Sequence, residues 1–454
     1  MEPRQVRTAA DARTIVKQRG LTHVKVGVHD IDGVLRGKYL HVDKFSSALD
    51  GGMGFCDVVL GWDANDQLYD NVTYTGWHTA YPDATVRIVP DTCREIATEP
   101  GNLLFLCEFV DRAEELCPRG VLRRVLKRAS DIGFEVKVGF EYEFFVFAET
   151  AFSVREKGYR NLKPISPGFF GYSMLRNSVL SDWHKDLLAL CETMDMGLEG
   201  LHTETGAGVL EAALRAQSGL SAADSAALFK LYTKVLAQKR DWLATFMAKW
   251  SKDWPGCGGH MHMSLWQEGQ SAFYDETAPH RMSDAMRHFV GGQRALMPEL
   301  LAMVAPNVNS YRRLIPGFWA PTAASWGVEN RTTSLRVIPG SPKSTRVEYR
   351  VAAADANPYL ALAAAVGSGL WGIENKIDAG EPVTGNSYAI DHPAASQLPR
   401  TLMEAAGRLK GSKAGRALFG DGFVDHYSAT REWEEREFRK AITEWELDRY
   451  MEII

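Results

Sequence analysis

Between Glu135 and Phe147 the chain alternates so regularly that an extended strand is the one local structure that fits. Val136, Val138, Phe140, Tyr142, Phe144 and Val146 fall on one face, and Glu141 and Glu143 point together from the other. Aromatic and β-branched neighbours place this strand inside a sheet, where an unpaired carboxylate is costly. Taken alone, the stretch reads either as a strand with a solvated acidic edge or as the wall of a site. The rest of the chain has to decide.

A chain of 454 residues suffices for two or three domains or one large composite one. It is 45% hydrophobic and 24% charged, a soluble globular composition. The net charge of −5, with no basic block, argues against a nucleic-acid partner. Residues 1–14 lack the apolar core of a secretory signal. The longest uncharged run, Pro358 to Ile373, is interrupted by Gly367, Gly369 and Gly372 and falls short of the roughly 20 residues of a membrane span. Cys56, Cys93, Cys107, Cys117, Cys191 and Cys257 are scattered without a CxxC, so they read as reduced thiols of a cytoplasmic protein rather than zinc ligands.

The first part of the chain reads as a small, mostly β unit. A short helix over 8–20 precedes a strand through Val24, Val26 and Val28; Asp32 and Gly33 signal a hairpin turn, and Val34 to Leu40 returns. Thr85 to Val89 and Leu103 to Phe109 are further strands. Pro118 opens a helix striped by Val121, Leu122, Val125, Leu126 and Ala129 and closed by Gly133, which sets the boundary near residue 112. Beyond it, Ser181 to Met194, Ser221 to Lys249, Arg287 to Ala305, Ala352 to Gly372 and Ser428 to Met451 read as helices, with Ser221 and Asp224 as a capping box. Gly258 to Leu265 and Thr345 to Val351 read as strands, with no internal repeat.

Several of these strands carry charge at period two on a face that belongs inside. Glu141, Glu143, Glu204, Glu211, His260 and Glu348 would repel one another unless a cation neutralised them, and oxygen-rich coordination suits Mg²⁺ or Mn²⁺. Six ligands are enough for two ions. Glu204 and Glu211 are an odd number apart, and Gly206 and Gly208 allow the bend that could unite them. Arg313, Arg331, Arg336, Arg346 and Arg350 supply the opposite sign, either as partners of these glutamates or as contacts for anionic substrates such as phosphates and a carboxylate. There is no GxxxxGK[ST] loop, no dinucleotide fingerprint and no GxSxG elbow; the HxH of His260 and His262 leaves a metal-dependent hydrolase open.

Taken together, the stretches FEYEFF at 140–145, HTE at 202–204, GGHMHMSL at 258–265, NSYRRLIPG at 309–317, WGVENRT at 326–332, SPK at 341–343, RVEYR at 346–350 and ANPYL at 356–360 resemble those of the glutamine synthetase family over nearly the whole chain. The likeness is to its γ-glutamyl-amine ligase branch, the polyamine and alkylamine enzymes. It implies an α+β fold, with a β-grasp N-terminal domain over 1–112 and a catalytic domain over 113–454 built on a curved antiparallel sheet with flanking helices. It implies a dodecamer of two hexameric rings, each site shared with a neighbour's N-terminal domain. Carried over, Glu143, Glu204 and Glu211 hold one metal, and Glu141, His260 and Glu348 the other. His262, Ser264, Lys343, Arg336 and Arg346 fall at ATP, and Gly256, Arg313 and Arg350 at glutamate. Arg331, Arg313 and Asp57 fall among the catalytic groups, with Arg331 and Arg336 beside the phosphoryl groups. The implied reaction ligates the γ-carboxylate of glutamate to an amine through a γ-glutamyl phosphate.

Two departures from the ammonia-using enzymes bear on the amine. Where they carry a glutamate immediately before Ala-Pro, this chain has Trp319, and indole can stack on an alkyl group or receive a cation but cannot take a proton. Their Phe-Asp-Gly-Ser-Ser corresponds to Phe55–Val59 with Asp57 displaced by one, and their Asn-Gly in the glutamate loop is Pro255-Gly256 here. The expected nucleophile is therefore an organic amine, a short alkylamine or a polyamine, with Trp319 as its dock and Asp57 or Glu329 as candidate proton acceptors. The alternatives are an ammonia-using glutamine synthetase and an inactive structural or regulatory family member.

Overall fold

The computed structural model describes all 454 residues and contains two sheets. The first is formed by β1 (His23–His29), β2 (Leu35–His41), β3 (Met53–Cys56), β4 (Asp83–Ile88), β5 (Arg94–Glu95) and β6 (Leu103–Phe109), in the order β2-β1-β6-β4-β3 with β5 on β6. Gly33 takes φ +84° to close the β1–β2 hairpin, and Asp30 Oδ1 accepts from the N–H groups of Asp32 and Val34. β1 and β6 run parallel, and the helix Val42–Gly51 packs Phe45 against Phe105 at 4.8 Å between ring centres. Hairpin, helix and a return strand parallel to the first make the β-grasp arrangement.

The second sheet contains β7 (Glu135–Phe147), β8 (Leu198–Thr203), β9 (Val209–Leu214), β10 (Gln217–Ser218), β11 (Leu243–Thr245), β12 (Gly259–Gln267), β13 (Gln270–Ser271), β14 (Trp326–Val328), β15 (Leu335–Ile338) and β16 (Arg346–Tyr349). Its main path is β14-β15-β16-β12-β7-β9-β8. The pairing is antiparallel except at the edge, where β14 and β15 run parallel. Those two strands are so short that the brief link between them can return the chain to its starting end.

β7 is the centre, and its two faces have different fates. Tyr142 stacks on Phe229 of the helix Gly219–Gln238 at 6.3 Å, and Phe144 stacks on Phe246 at 5.2 Å. Burying each such ring contributes about 1.5–3 kcal/mol, so this face is committed to the core and the register is fixed. Glu141 and Glu143 then have to emerge on the opposite face.

The helical pattern read through Lys249 ends earlier. The helix stops at Gln238, Asp241 turns the chain at φ +56°, and Leu243–Thr245 pairs with the end of β7. Ser221 and Asp224 do not cap it: the helix begins two residues before Ser221, and Asp224 is engaged by Arg119 and Tyr359. The amphipathic stretch over 428–451 is two helices, Asp421–Phe438 and Glu444–Tyr450, the second opened by a capping box of Thr443 and Glu446. The small-residue helix begins at Pro358, where Asn357 caps it through Tyr359 N–H and donates its amide to Asp30 and Ile31 in the first-sheet hairpin. No helix is long and apolar enough to cross a membrane.

One continuous hydrophobic cluster runs from Val6 to Tyr427, beneath both sheets. A buried ionic bridge crosses the same ground. Glu108 of β6 accepts from Arg87 and Arg119, and Arg119 forks onto both oxygens of Asp224, which also accepts from the Tyr359 hydroxyl at 2.7 Å. Burial works against the Glu108 charge, but Arg119, Arg87 and Arg123 outweigh it and hold the carboxyl below its ordinary range. Removing one partner strands the others without water. Arg119→Ala should therefore lose about 3–5 kcal/mol of stability, read as a lowered midpoint in thermal or denaturant unfolding, whereas Lys127→Ala, at an exposed ion pair on the same helix, should change it little.

Candidate active site

The register of the second sheet assembles the charged residues in cross-strand rows. Glu143 of β7 stands opposite Glu211 of β9, which stands opposite His202 of β8. Glu141 stands opposite His260 of β12. His262 stands opposite Glu348 of β16, which stands opposite Arg336 of β15. Because side chains alternate along each strand, these rows share one face. They floor a cleft of about 240 Å³ lined by Glu141, Glu143, Glu204, Glu211, His260 and Glu348 together with Arg313, Arg331, Arg336 and Arg350.

The contacts pair opposite charges where they can. His260 Nδ1 lies 3.0 Å from Glu141 and 3.4 Å from Glu348, and His262 Nε2 lies 3.6 Å from the other Glu141 oxygen. His202 Nε2 lies 3.2 Å from Glu204 and 3.4 Å from Glu211. Glu348 accepts from Arg336 at 3.2 Å and from Arg350. Glu143 accepts from the Gly258 N–H. Burial opposes the charge on Glu141, yet the His260 and His262 contacts hold it well below the ordinary carboxylate range; His202 does the same, more mildly, for Glu204.

For Glu211 the His202 contact is outweighed: burial, then the charges of Glu141, Glu143, Glu204 and Glu348, push its carboxyl up to about 10. Repulsion among the five carboxylates thus falls hardest on Glu211, whose protonated form is favoured when no cation is bound. Carboxylate oxygens with imidazole nitrogens are a donor set for a hard divalent cation, and two clusters have ligand atoms within 4.8 Å of one another: Glu141, His262 and Glu348, and His202, Glu204 and Glu211.

Two further histidines join the residues that the family resemblance implied. Glu141, His260 and Glu348 stand together, with His262 also beside Glu141 and Glu348; Glu204 and Glu211 stand with His202, while Glu143, opposite Glu211, accepts from Gly258 N–H. His202 was legible, being two residues before Glu204 and so on the same strand face. Tyr172 was not. It lies in a loop without periodicity, stacks on His202 at 4.4 Å, and is pushed up to about 12 by burial and by Glu204 and Glu211.

The arginines differ in freedom. Arg313 is 3% exposed, donates to the carbonyls of Arg350 and Val351, and is pulled below its usual value by burial. Gly256 packs beside it, where a Cβ would stand 2.5 Å from the Ala248 carbonyl oxygen. Arg336 is held between Glu348 and Glu329, and Arg331 is exposed at the rim. Trp319 also lines the cleft, 61% exposed, with φ +59°. His262, Ser264 and Arg346 continue the same face outside the cleft, with Arg346 Nε 3.2 Å from His262 Nδ1 and Ser264 accepting from Trp266 Nε1; Lys343 is exposed on the loop before β16. Asp57 does not line the cleft. It is buried in the first sheet's flank, accepts from the Thr75 hydroxyl at 2.6 Å and is raised by burial.

The Glu211 carboxyl favours its protonated form in the folded chain, so its contribution to stability falls as pH rises from about 4.5 towards about 10. Glu211→Gln removes that loss. The metal-free variant should melt above wild type at neutral and alkaline pH, the gap closing towards pH of about 4.5, while its stabilisation by added Mg²⁺ should be weaker than wild type's; scanning calorimetry across pH, with and without Mg²⁺, measures both.

The sequence profile of the glutamine synthetase catalytic domain matches residues 115–450. The chain is 45% identical over 438 residues to type-1 glutamine synthetase 2 of Dictyostelium discoideum, covering 95% of this chain and 84% of that one. It is 35% identical over 450 residues to the glutamate–isopropylamine ligase of a Pseudomonas species, covering 97% of each. A solved structure described as a GmaS/ADP complex shares the fold at a TM-score of 0.85 and 24% identity, over 97% of this chain and 99% of that one. With the acidic cleft on a sheet of this topology, these likenesses make the chain a member of the glutamine synthetase family.

Proposed function

We propose that this protein is a carbon–nitrogen ligase that couples ATP cleavage to amide formation between the γ-carboxylate of glutamate and an organic amine. The observation that carries the reading is a cleft where five carboxylates, an imidazole and four arginines converge, with indole at its mouth. In this reading Glu143, Glu204, Glu211 and His202 flank one divalent cation, Mg²⁺ or Mn²⁺, and Glu141, His260, His262 and Glu348 a second. When bound, the cations supply positive charge and Lewis acidity to the phosphates.

The chain's own groups do the positioning. Arg350 and buried Arg313, beside Gly256, hold the substrate carboxylate; Arg331 and Arg336 face the transferring phosphoryl group; His262, Ser264, Lys343 and Arg346 line the nucleotide's path. The γ-carboxylate oxygen attacks the γ-phosphorus of ATP and ADP leaves. The amine nitrogen then attacks the acyl carbon, and phosphate leaves as the amide forms and the nitrogen gives up its proton. Fixed cationic donors in a water-poor cleft favour the charge developing in the first step.

Trp319 sets the amine in this account. An indole face packs on methyl and methylene groups and attracts a cationic nitrogen. The division into residues 1–112 and 113–454, and a dodecamer in which a neighbour's first sheet lies beside the cleft, belong to the same proposal; Asp57, buried on Thr75, is not its proton acceptor. Exposed apolar residues on and just after the terminal helix, Trp445, Tyr450 and Met451, support burial against further copies. Light scattering should give a mass of twelve chains.

The 45% identity to a protein described as a glutamine synthetase favours a second reading, in which ammonia is the nucleophile. Phosphate release dependent on ATP and glutamate, measured with ammonia, isopropylamine, ethanolamine and putrescine in parallel, separates the two. An organic amine should exceed ammonia in kcat/KM by at least about tenfold, roughly the worth of a few buried methylenes; ammonia matching the best amine would establish the second reading. Trp319→Ala should raise KM for the preferred amine about tenfold or more while leaving KM for ATP near its original value.

A further inference from the structure

Behind the segment that carries Arg313 and Trp319 lies a second cavity, of about 820 Å³. That is within the usual range for metabolite pockets. Its charged lining consists of Lys249, Lys252, Arg312 and Arg400, with no carboxylate among the lining residues. Lys252 is paired with exposed Asp253, but the guanidinium groups of Arg312 and Arg400 make no ion pair and no hydrogen bond within the chain. Leu314, Ile315 and Pro316 form an apolar wall. Two further donors on lining residues, Tyr311 Oη and Trp250 Nε1, are buried without a partner. Two solvated guanidinium groups with no carboxylate partner, on one lining with buried Tyr311 and Trp250 donors that have no partner, suit an anionic ligand.

The cavity and the catalytic cleft share a wall. Arg312 precedes Arg313, and Pro316 is three residues from Trp319. Lys249 lines the cavity while its Nζ sits 4.1 Å from the centre of the Phe318 ring, which lines the cleft. Anything that draws Lys249 or Arg312 towards the cavity pulls on the segment presenting Trp319.

We propose that this cavity is an effector site for a small metabolite carrying two or more negative charges, as phosphate or as carboxylate, and that its occupancy resets the Trp319 segment. The coupling rests on the amine-ligase reading; the binding does not. Titration calorimetry on the full chain in metal-free buffer at matched ionic strength, with glucose 6-phosphate as the phosphate probe and citrate as the carboxylate probe, tests it. At least one probe should bind, and Arg312→Ala/Arg400→Ala should weaken it at least about tenfold, the scale of one lost charge-assisted contact. Both arginines are exposed, so the fold is not at stake; Arg312→Lys/Arg400→Lys should keep most of the affinity. In the phosphate-release assay a saturating probe should change the KM for the amine in wild type and not in the alanine pair. Absence of binding by both probes, equal binding by the alanine pair, or displacement of the probe by ATP would overturn the site. Binding with an unchanged amine KM would overturn the coupling. A chain that binds the probe but shows no ligase activity would refute the proposed reaction and leave the site standing.

Discussion

Repulsion among carboxylates on one face of a sheet is the constraint from which the rest follows. Glu141, Glu143, Glu211 and Glu348 are brought together by backbone register, with Glu204 just past the end of β8, and the register is set by the aromatic face of β7 packing on Phe229 and Phe246. The core thus forces the charges into one place, and the charges then need histidines, arginines, a retained proton or bound cations to persist there. His202, His260 and His262 relieve part of the strain, and Arg336 and Arg350 neutralise Glu348. The repulsion falls hardest on Glu211.

The same arrangement gives a chemical logic without loop motion. Four arginines line the same small cleft as the acidic rows, two of them paired with Glu348, so an anionic substrate group and a cation both find partners there. The strands are tied to the first sheet by the Glu108, Arg119 and Asp224 bridge and by Asn357 reaching into the β1–β2 hairpin. The cleft is accordingly built on rigid elements, whereas the amine end rests on an exposed segment with Trp319 in a left-handed conformation.

Much of this is legible in the amino-acid sequence. Strand alternation located β7, β12 and β16 because each carries its charges at period two against an apolar face, and the residues named from the sequence at the acidic cluster do line one cleft. What sequence alone missed has identifiable causes. The helical pattern after Gly219 reads too far because helix-compatible residues such as Lys239, Arg240, Leu243, Ala244 and Met247 continue past Gln238, and only pairing with the end of β7 turns Leu243–Thr245 into a strand. Asp224 looked like a cap residue, since its buried partners Arg119 and Tyr359 lie far away in sequence. Tyr172 had no pattern to betray it. That His202 and His262 join the carboxylates follows from cross-strand register, which no single strand reveals.

The central claim is that the acidic face supports phosphoryl transfer to glutamate before any amine arrives. Positional isotope exchange tests it directly: ATP carrying labelled oxygen in the β–γ bridge is incubated with glutamate and Mg²⁺ in the absence of amine, and migration of the label to non-bridging β positions is followed by phosphorus NMR. Migration that requires glutamate and Mg²⁺, and that disappears in Glu141→Gln, is the result this account requires. Label that stays in the bridge under conditions where amide is formed once amine is added would contradict it.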